Sequence, residues 1–333
     1  VVMAIILGIV GTMTYDTLEE RAKAEKFNEL GHVSADIRLR YERAYQAAAL
    51  TEVRMQDILQ VPPEARSRDA VVQVLRDTVA ATPGILGAGV CFAPNAFDGR
   101  DAEMANTEYS DASGRLLPFV WPDHVEPLVG YETAKWYTEA ENTKKPFLSD
   151  PYKFTTNSGK HYMAAALSYP LVVDGKFLGT LLFDIDLGSF QSDLEKISTP
   201  DQFFVLFSQD GEMVAHGRDA GSVTKNIFEL MGIKPEAVVK STAEEPYAQR
   251  QVSPTSGNDT LYVYAPIVFD GVTAKWGMCS AMNYDAFTAP ARHMIYIILV
   301  VAVIGIVLLL VGLVFFITKR ISTPMRDLQG VVQ

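Results

Sequence analysis

One stretch near the end of the sequence constrains the fold more than any other feature. From Met294 to Ile317, 24 consecutive residues include no Asp, Glu, Lys, Arg or His, and most are Ile, Leu or Val. A helix rises ~1.5 Å per residue, so this run can cross the ~30 Å hydrocarbon core of a bilayer. Core helices of soluble proteins are seldom so long and so uniformly apolar. The sequence therefore predicts a transmembrane helix over 294–317.

Residues 1–15 carry no charged side chain either. They are too few to cross a bilayer alone. No basic segment precedes them and no small-residue cleavage site closes them, so the end of a truncated transmembrane helix is favoured over a signal peptide. We therefore expect two membrane spans, with residues 1–15 as the outer end of the first.

The charges around the second span predict its orientation. Lys319, Arg320 and Arg326 follow it, whereas Arg292 alone lies close upstream, so the C-terminal end is expected in the cytoplasm. The chain has a net charge of −11, and the three basic residues and one acid of 318–333 leave −13 for residues 16–293. Such an acidic segment is unsuited to nucleic acid, whose phosphates need a basic surface. We expect it to be periplasmic or extracellular, in a protein of the cell inner membrane.

A heptad pattern follows the first apolar segment. Between Phe27 and Met55, apolar and small residues recur at alternating steps of three and four, which predicts one long stalk helix over 16–60. Pro62 and Pro63 would end it, because neither can donate the next helical hydrogen bond. One face of this helix is rich in small residues, namely Ala44, Ala47, Ala48 and Ala49. They would let a second helix of the same chain or of a partner chain approach closely. The alternative is that this face is buried against the chain's own domain, and both interpretations are compatible.

Three Asp-Gly pairs separate strand-like runs in the middle of the chain, after a short amphipathic helix predicted over 67–80. They are Asp174-Gly175, Asp210-Gly211 and Asp270-Gly271, and such a pair between apolar runs is typical of a tight β-hairpin. The first and third pairs, each preceded by a proline, match at an offset of 96 residues. This indicates a tandem repeat, with chance similarity of two hairpins as the alternative. We expect an α+β fold in which two modules with antiparallel sheets, 61–195 and 196–290, follow the long helix.

Four segments of the first module carry a family resemblance. They are Trp136-Tyr137, Asp150-Pro151-Tyr152, Asp174-Gly175 with the following Lys-Phe-Leu-Gly, and Phe183-Asp184-Ile185. Together they resemble the membrane-distal module of double Cache sensor domains, which are the tandem PAS-like domains of bacterial chemoreceptors and sensor kinases. The resemblance covers residues 15–290. Beyond the second span, Ile321-Ser322-Thr323-Pro324-Met325 resembles the opening of a HAMP linker in 318–333.

The resemblance implies that this module binds a small ligand. In the family, the WY pair, the D/E-P-Y loop and the strand that contains Asp184 surround the ligand. Segment 109–152 is also dense in aromatic residues. Aromatic faces and carboxylates together favour a cationic group, so an amine or the ammonium of an amino acid is expected. The candidate ligand-binding residues are Trp136, Tyr137, Asp150, Tyr152, Asp184, Tyr131, Trp121 and Tyr109. For the Trp136-Tyr137 pair, a place in the module core is the alternative.

One position departs from the family pattern. Members that bind amino acids typically have an Arg two residues before the Trp, where it holds the ligand's carboxylate, and this chain has Ala134 there. Lys135 does not replace it, since neighbours on a helix point ~100° apart. Amines or other small metabolites therefore stand beside amino acids as candidate ligands, with Lys153, Lys160 or His161 as alternative cations for a carboxylate.

Signatures of enzymes and cofactors are missing from the sequence. Gly87 and Gly89 lack the third glycine of a dinucleotide fingerprint, and no Walker loop or Gly-x-Ser-x-Gly elbow occurs. The five histidines lack metal-ligand spacing, and the acids Asp98, Asp101 and Glu103 indicate a solvated loop rather than a calcium site. Cys91 and Cys279 are expected to be buried free thiols. We therefore expect residues 1–333 to bind no cofactor or metal and to catalyse no reaction.

These observations predict the sensing region of a bacterial methyl-accepting chemotaxis protein. The family implies a homodimer about the long helix, signalling through the second span and HAMP, and a cytoplasmic adaptor and kinase engaged by the part of the receptor that follows. The alternative is the same sensing region on a histidine kinase or cyclase.

Overall fold

The computed structural model describes residues 2–156, 159–234 and 247–319. Its helices are α1 (Val2–Leu59), α2 (Arg68–Ala81), α3 (Lys135–Thr143), α4 (Leu187–Ile197), α5 (Ile227–Leu230) and α6 (Tyr284–Ile317). The strands of the first sheet are β1 (Ile85–Phe92), β2 (Pro118–Val120), β3 (Val125–Pro127), β4 (Phe147–Leu148), β5 (Tyr152–Thr155), β6 (His161–Val173) and β7 (Lys176–Asp186). Those of the second are β8 (Gln202–Phe207), β9 (Met213–His216), β10 (Tyr247–Val252), β11 (Asp259–Val268) and β12 (Lys275–Asn283). The prediction of an α+β fold with one long helix and two antiparallel sheets is confirmed.

Helix α1 runs without a break from Val2 to Leu59 and so joins the two segments predicted as 1–15 and 16–60. Its heptad positions from Leu30 to Leu59 are buried, and they pack against the chain's own domain. The Tyr41 ring lies 4.5 Å from Phe269 between centroids, and the hydroxyls of Thr51 and Thr78 are hydrogen-bonded at 2.9 Å. Ala44 and Ala48 belong to this covered face. The alternative of burial within the chain therefore accounts for the stripe.

The first sheet has the strand order β3-β2-β1-β7-β6-β4, with β5 also paired to β6. Its longest hairpin, β6–β7, turns at the predicted Asp174-Gly175 pair, where both residues have positive φ (50° and 76°). Two positive φ values are what a two-residue type I′ turn requires. The sheet lies within 61–195, and α4 begins at the end of β7 with Asp186 as its N-cap, accepting a hydrogen bond from the Gly188 amide at 2.9 Å.

The second sheet, of order β10-β11-β12-β8-β9, lies within 196–290. Its β11–β12 hairpin differs from the prediction, because residues 269–274 form a longer loop between Val268 and Lys275. The reason is packing against α1. Phe269 is buried under Tyr41, whose hydroxyl donates to the Asp270 carbonyl at 3.1 Å, and a two-residue turn would hold no such side chain.

The terminal segments form a unit separate from residues 26–283. Helix α6 begins at Tyr284, ten residues before the predicted span, and is long and apolar enough to cross a membrane, since an 18-residue stretch of it has a mean hydropathy of 3.5. It is the one helix of the described residues that meets this criterion. The expected HAMP opening, 321–325, lies outside the described residues.

The acidic loop before β2 corrects one expectation. Asp98 and Asp101 are buried, not solvated, because the Arg68 guanidinium bonds Asp98 through Nε (2.8 Å) and Nη2 (2.9 Å) and lies 3.4 Å from Asp101. Glu103 alone stays exposed, paired with Arg100. Within the described part of the chain, no group of acids, histidines and cysteines is arranged to hold a metal ion. Both cysteines are buried and unpaired, as expected.

Candidate functional site

A cavity of about 210 Å³ opens on one face of the first sheet, and we call it the first-sheet cavity. Strands β2, β3, β5 and β7 and helix α3 contribute its walls. Its lining comprises Phe119, Trp121, Glu126, Pro127, Leu128, Val129, Trp136, Tyr152, Phe154, Thr155, Thr156, Leu182 and Asp184. The walls are thus mainly aromatic and apolar, with two carboxylates.

Strand β7 places one of these carboxylates at the cavity. Side chains alternate along a strand, so Leu182 and Asp184 face the cavity while Phe183 is buried on the other side of the sheet. Asp184 is 5% exposed. The Tyr152 hydroxyl, from β5, donates a hydrogen bond of 2.5 Å to its Oδ1. This bond fixes the carboxylate and leaves Oδ2 available to a ligand.

Burial determines the charge state of this carboxylate. It raises the pKa of Asp184 to about 7, against a smaller lowering by the Tyr152 hydrogen bond. Burial, with the neighbouring Asp184 charge, also raises the pKa of Tyr152, whose hydroxyl stays protonated. Near pH 7 the Asp184 carboxyl is therefore partly protonated, and a cation bound beside it would favour its ionised form.

The β2–β3 hairpin supplies the second carboxylate. Trp121 Nε1 donates to Glu126 Oε1 at 2.9 Å, and the Trp121 ring packs on Phe119 and Phe154 at centroid distances of 4.9 and 5.8 Å. Glu126 was not among the sequence candidates. Strand β3 has only three residues, too few to show a period, and the register that sets Glu126 opposite Phe119 depends on the folded hairpin.

Glycines in β1 make room for the Phe119 ring. A Cβ atom would lie 2.6 Å from that ring at Gly87 and 2.9 Å from it at Gly89. Both distances are shorter than the contact distance of non-bonded carbon atoms. The two glycines that fit no dinucleotide fingerprint therefore leave room for a cavity-lining aromatic ring next to β1.

Trp136 and its neighbour in sequence face different surroundings. Trp136 lies on α3 and lines the cavity. Tyr137 is buried behind it in a cluster with Tyr131, Leu117 and Cys91. There the buried Arg115 guanidinium donates to the Tyr137 hydroxyl at 2.9 Å and stacks over the Tyr131 ring at 4.6 Å. Tyr137 and Tyr131 thus support the helix from which Trp136 projects.

Of the eight sequence candidates, the structure brings four together at the cavity: Trp121, Trp136, Tyr152 and Asp184. Tyr131 and Tyr137 lie in the supporting cluster. Asp150 and Tyr109 are half-buried outside the cavity lining. A cavity contact could not be assigned from residue type alone, because all eight are aromatic or acidic.

The lining has acids but no base among the described residues. Lys153 is exposed and its Nζ lies 3.4 Å from the Val223 carbonyl, and His161 is exposed and bonded to Thr155. Lys160 lines a neighbouring groove and not this cavity. The first-sheet cavity therefore favours a positively charged solute.

The sequence is similar to chemoreceptors. Residues 71–192 match the family described as methyl-accepting chemotaxis protein-like, first PDC sensor domain. Methyl-accepting chemotaxis protein TlpQ of Pseudomonas aeruginosa is 25% identical over an alignment 249 residues long, which covers 67% of this chain. The chain spans about a third of the length of that relative, 34%.

Solved structures share the fold. The extracellular domain of the putative histidine kinase mmHK1S-Z3 matches with a TM-score of 0.66 and 22% identity, covering 84% of this chain and 98% of that one. The periplasmic sensory domain of the Campylobacter jejuni chemoreceptor Tlp1 has a TM-score of 0.66 at 12% identity, with 81% and 99% covered. The ligand-binding domain of the P. aeruginosa amino acid chemoreceptor PctC, solved with GABA, has a TM-score of 0.55 at 15% identity, with 78% and 99% covered. With its long helix and two antiparallel sheets, the chain shares the fold of these sensory domains, and its residues 71–192 match the first PDC sensor domain of the methyl-accepting chemotaxis protein-like family.

Proposed function

We propose that the chain is the sensing region of a transmembrane methyl-accepting chemotaxis protein and that its first-sheet cavity binds a small solute with an ammonium group. An amine fits best, and an amino-acid-like metabolite is the next candidate. The observation that carries the proposal is the pairing of a buried carboxylate, Asp184, with the aromatic rings of Trp121 and Trp136 in one cavity. A carboxylate gives an ammonium group a charge-assisted hydrogen bond, and aromatic faces attract its charge.

The related receptor PctC supports a ligand of this kind. It was solved with GABA, which has an ammonium group at one end and a carboxylate at the other. The present cavity offers acids for the first group but, among its described lining residues, no base for the second. Ala134 also stands where the family's carboxylate-binding Arg is expected. The ammonium end alone is therefore the part we expect to be recognised.

Binding would change the cavity through two elements that meet there. An ammonium group bound to Asp184 would contact β7, and its contact with Trp136 would involve α3, so one ligand would bridge the two elements. A ligand that prefers the closed arrangement shifts the population toward it, and helix displacements of ~1–2 Å suffice for such switches. We propose that this shift passes through the span 294–317, and the HAMP linker after it, in a homodimer with two spans per chain in the inner membrane.

The output separates this proposal from its nearest alternative. One structural neighbour is the extracellular domain of a putative histidine kinase, so the same sensing region could stand on a kinase or a cyclase. The test is to reconstitute the whole protein with a chemotaxis adaptor and kinase in vesicles. We expect kinase phosphorylation to change when an ammonium-bearing solute is added. Phosphorylation of the receptor itself by ATP, without the added kinase, would identify a histidine kinase instead.

The affinity for an ammonium-bearing solute is expected to rise with pH up to neutrality. The pKa of Asp184 is about 7 in the free cavity, and the cation must bind its ionised form. Below that pKa, a proton is displaced on binding, so affinity falls by up to about tenfold per pH unit. Above it, the affinity levels off. Isothermal titration calorimetry between pH 5 and 8 measures this, and an affinity independent of pH would show that Asp184 does not receive the cation.

A further inference from the structure

A second cavity, of about 310 Å³, lies against the second sheet. We call it the second-sheet cavity. The start of β8, the end of β12, the β10–β11 loop and the segment after β9 form its walls. It shares no lining residue with the first-sheet cavity, and the side chains that matter most to its chemistry are Phe203, His216, Arg218 and Lys225.

His216 presents a hydrogen-bond donor to this cavity. The side chain ends β9 and is 7% exposed. Its Nδ1 accepts the backbone amides of Arg218 (3.2 Å) and Asp219 (3.0 Å). Burial lowers the pKa of His216, so the ring is neutral at pH 7 and its one proton is on Nε2. Among the described residues no acceptor bonds Nε2, and the ring is held in place by stacking on Phe203 at 5.0 Å between centroids.

Two cations line the same cavity. The Arg218 guanidinium is fixed by its hydrogen bonds to the carbonyls of Thr199 and Pro200 and lies over the Phe203 ring at 4.6 Å. Lys225 is exposed at the rim of the cavity. In the described part of the chain neither forms a direct ion pair with an acid. Their charges are therefore available to a ligand.

Two acids of the lining, Asp201 and Asp219, partly offset these charges. The Asp219 carboxylate turns back on its own chain, where it accepts the Gly221 amide at 3.0 Å and the Ser222 hydroxyl. Asp201 is exposed at the rim. The lining therefore offers a neutral donor, a guanidinium held in place and a lysine, beside the carboxylate of Asp201, whose charge acts on Arg218.

We propose that the second-sheet cavity binds a small carboxylate anion, with His216 Nε2–H and the Arg218 guanidinium as its hydrogen-bond donors and Lys225 as a rim charge. The Thr199 and Pro200 carbonyls occupy Nε and Nη2 of Arg218, so Nη1 is the guanidinium nitrogen left to donate a charge-assisted hydrogen bond to a carboxylate. The sensor then has two sites of opposite preference, one for a cation in the first sheet and one for an anion in the second. This inference goes beyond the proposed function, which concerns the first-sheet cavity alone.

The test is isothermal titration calorimetry of the full chain in lipid nanodiscs with sodium acetate and sodium propionate. The wild type is expected to bind, and neutral acetamide, which has the shape of acetate, is expected to bind at least about tenfold more weakly. Arg218→Gln and His216→Phe should each lower the affinity for acetate and propionate by about tenfold or more. Arg218 is exposed, so Arg218→Gln is expected to fold. His216→Phe keeps the stacking on Phe203 but removes the Nδ1 acceptor of the Arg218 and Asp219 amides, so its melting temperature is measured beside its affinity.

Arg38→Gln is the matched control, because this arginine is exposed and lies outside the lining of both cavities, and it should leave carboxylate binding unchanged. The proposal is overturned if the wild type does not bind the two carboxylates, or if acetamide binds as well as acetate. It is also overturned if both Arg218→Gln and His216→Phe retain wild-type affinity, or if Arg38→Gln removes the binding.

Discussion

Asp184→Asn is expected to weaken binding of an ammonium-bearing solute at least about 30-fold, because removal of one partner from a buried, hydrogen-bonded charge pair costs about 2–5 kcal/mol. Asn has the shape of Asp and keeps an oxygen acceptor for the Tyr152 hydroxyl, which lies 2.5 Å from Oδ1. The packing of β5 on β6 and of β6 on β7 should therefore persist. Titration calorimetry with the amine that gives the largest thermal shift measures the loss.

Asp150→Asn is the matched control, since this acid lies outside the cavity lining, and its affinity should stay within about threefold of the wild type. Stability separates lost binding from lost folding. The pKa of Asp184 is raised from 3.8 to about 7, so its ionised form destabilises the fold as pH rises through that range. At pH 8 Asp184→Asn should melt no lower than the wild type. Unchanged affinity in Asp184→Asn would place the cation elsewhere.

Arg68→Ala should destabilise residues 26–283 by about 3–5 kcal/mol, because it leaves the buried carboxylates of Asp98 and Asp101 without their cation. For a domain of this size the melting temperature should fall by about 10 °C. The guanidinium also donates to the Ser110 hydroxyl (2.8 Å) and the Gly114 carbonyl (3.0 Å), so the loop before β2 loses its main anchor. Thermal unfolding followed by circular dichroism measures the change.

The exposed Arg100–Glu103 pair provides the control for Arg68→Ala, since removal of a surface ion pair costs at most about 1 kcal/mol. The pH dependence has a definite sign. Hydrogen bonding to Arg68 holds the pKa of Asp98 below its usual value, so this pair stabilises the fold above that range and the contribution is lost as pH falls through it. The gap between wild type and Arg68→Ala should therefore narrow below pH 4. A gap that stays constant with pH would contradict the ion-pair account.

Local patterns predicted the elements that depend on local chemistry. The heptad stripe gave α1, and Asp174-Gly175 gave the β6–β7 turn, because both signals are contained in neighbouring residues. The resemblance supplied Asp184 and Tyr152. Their sequence positions alone could not show that a hydroxyl on β5 bonds a carboxylate on β7, since β6 lies between the two strands.

Features that depend on distant residues were missed. The Asp270-Gly271 pair looks like a hairpin turn, but its loop is longer because Phe269 packs under α1, more than 200 residues away in sequence. Asp98 and Asp101 look solvated until Arg68 is placed beside them. Glu126 joins the cavity only through the register of a three-residue strand. In each case the deciding partner is set by tertiary packing, which no local period records.

The preference of the first-sheet cavity for a cation is the central claim, and a thermal-shift screen of the full chain in nanodiscs tests it most directly. The screen compares amines, amino acids and small carboxylates at pH 8, where Asp184 is ionised. A ligand that binds only the folded state raises its melting temperature. We predict that at least one solute with an ammonium group does so in the wild type and not in Asp184→Asn. Hits confined to solutes without a positive charge would contradict the account.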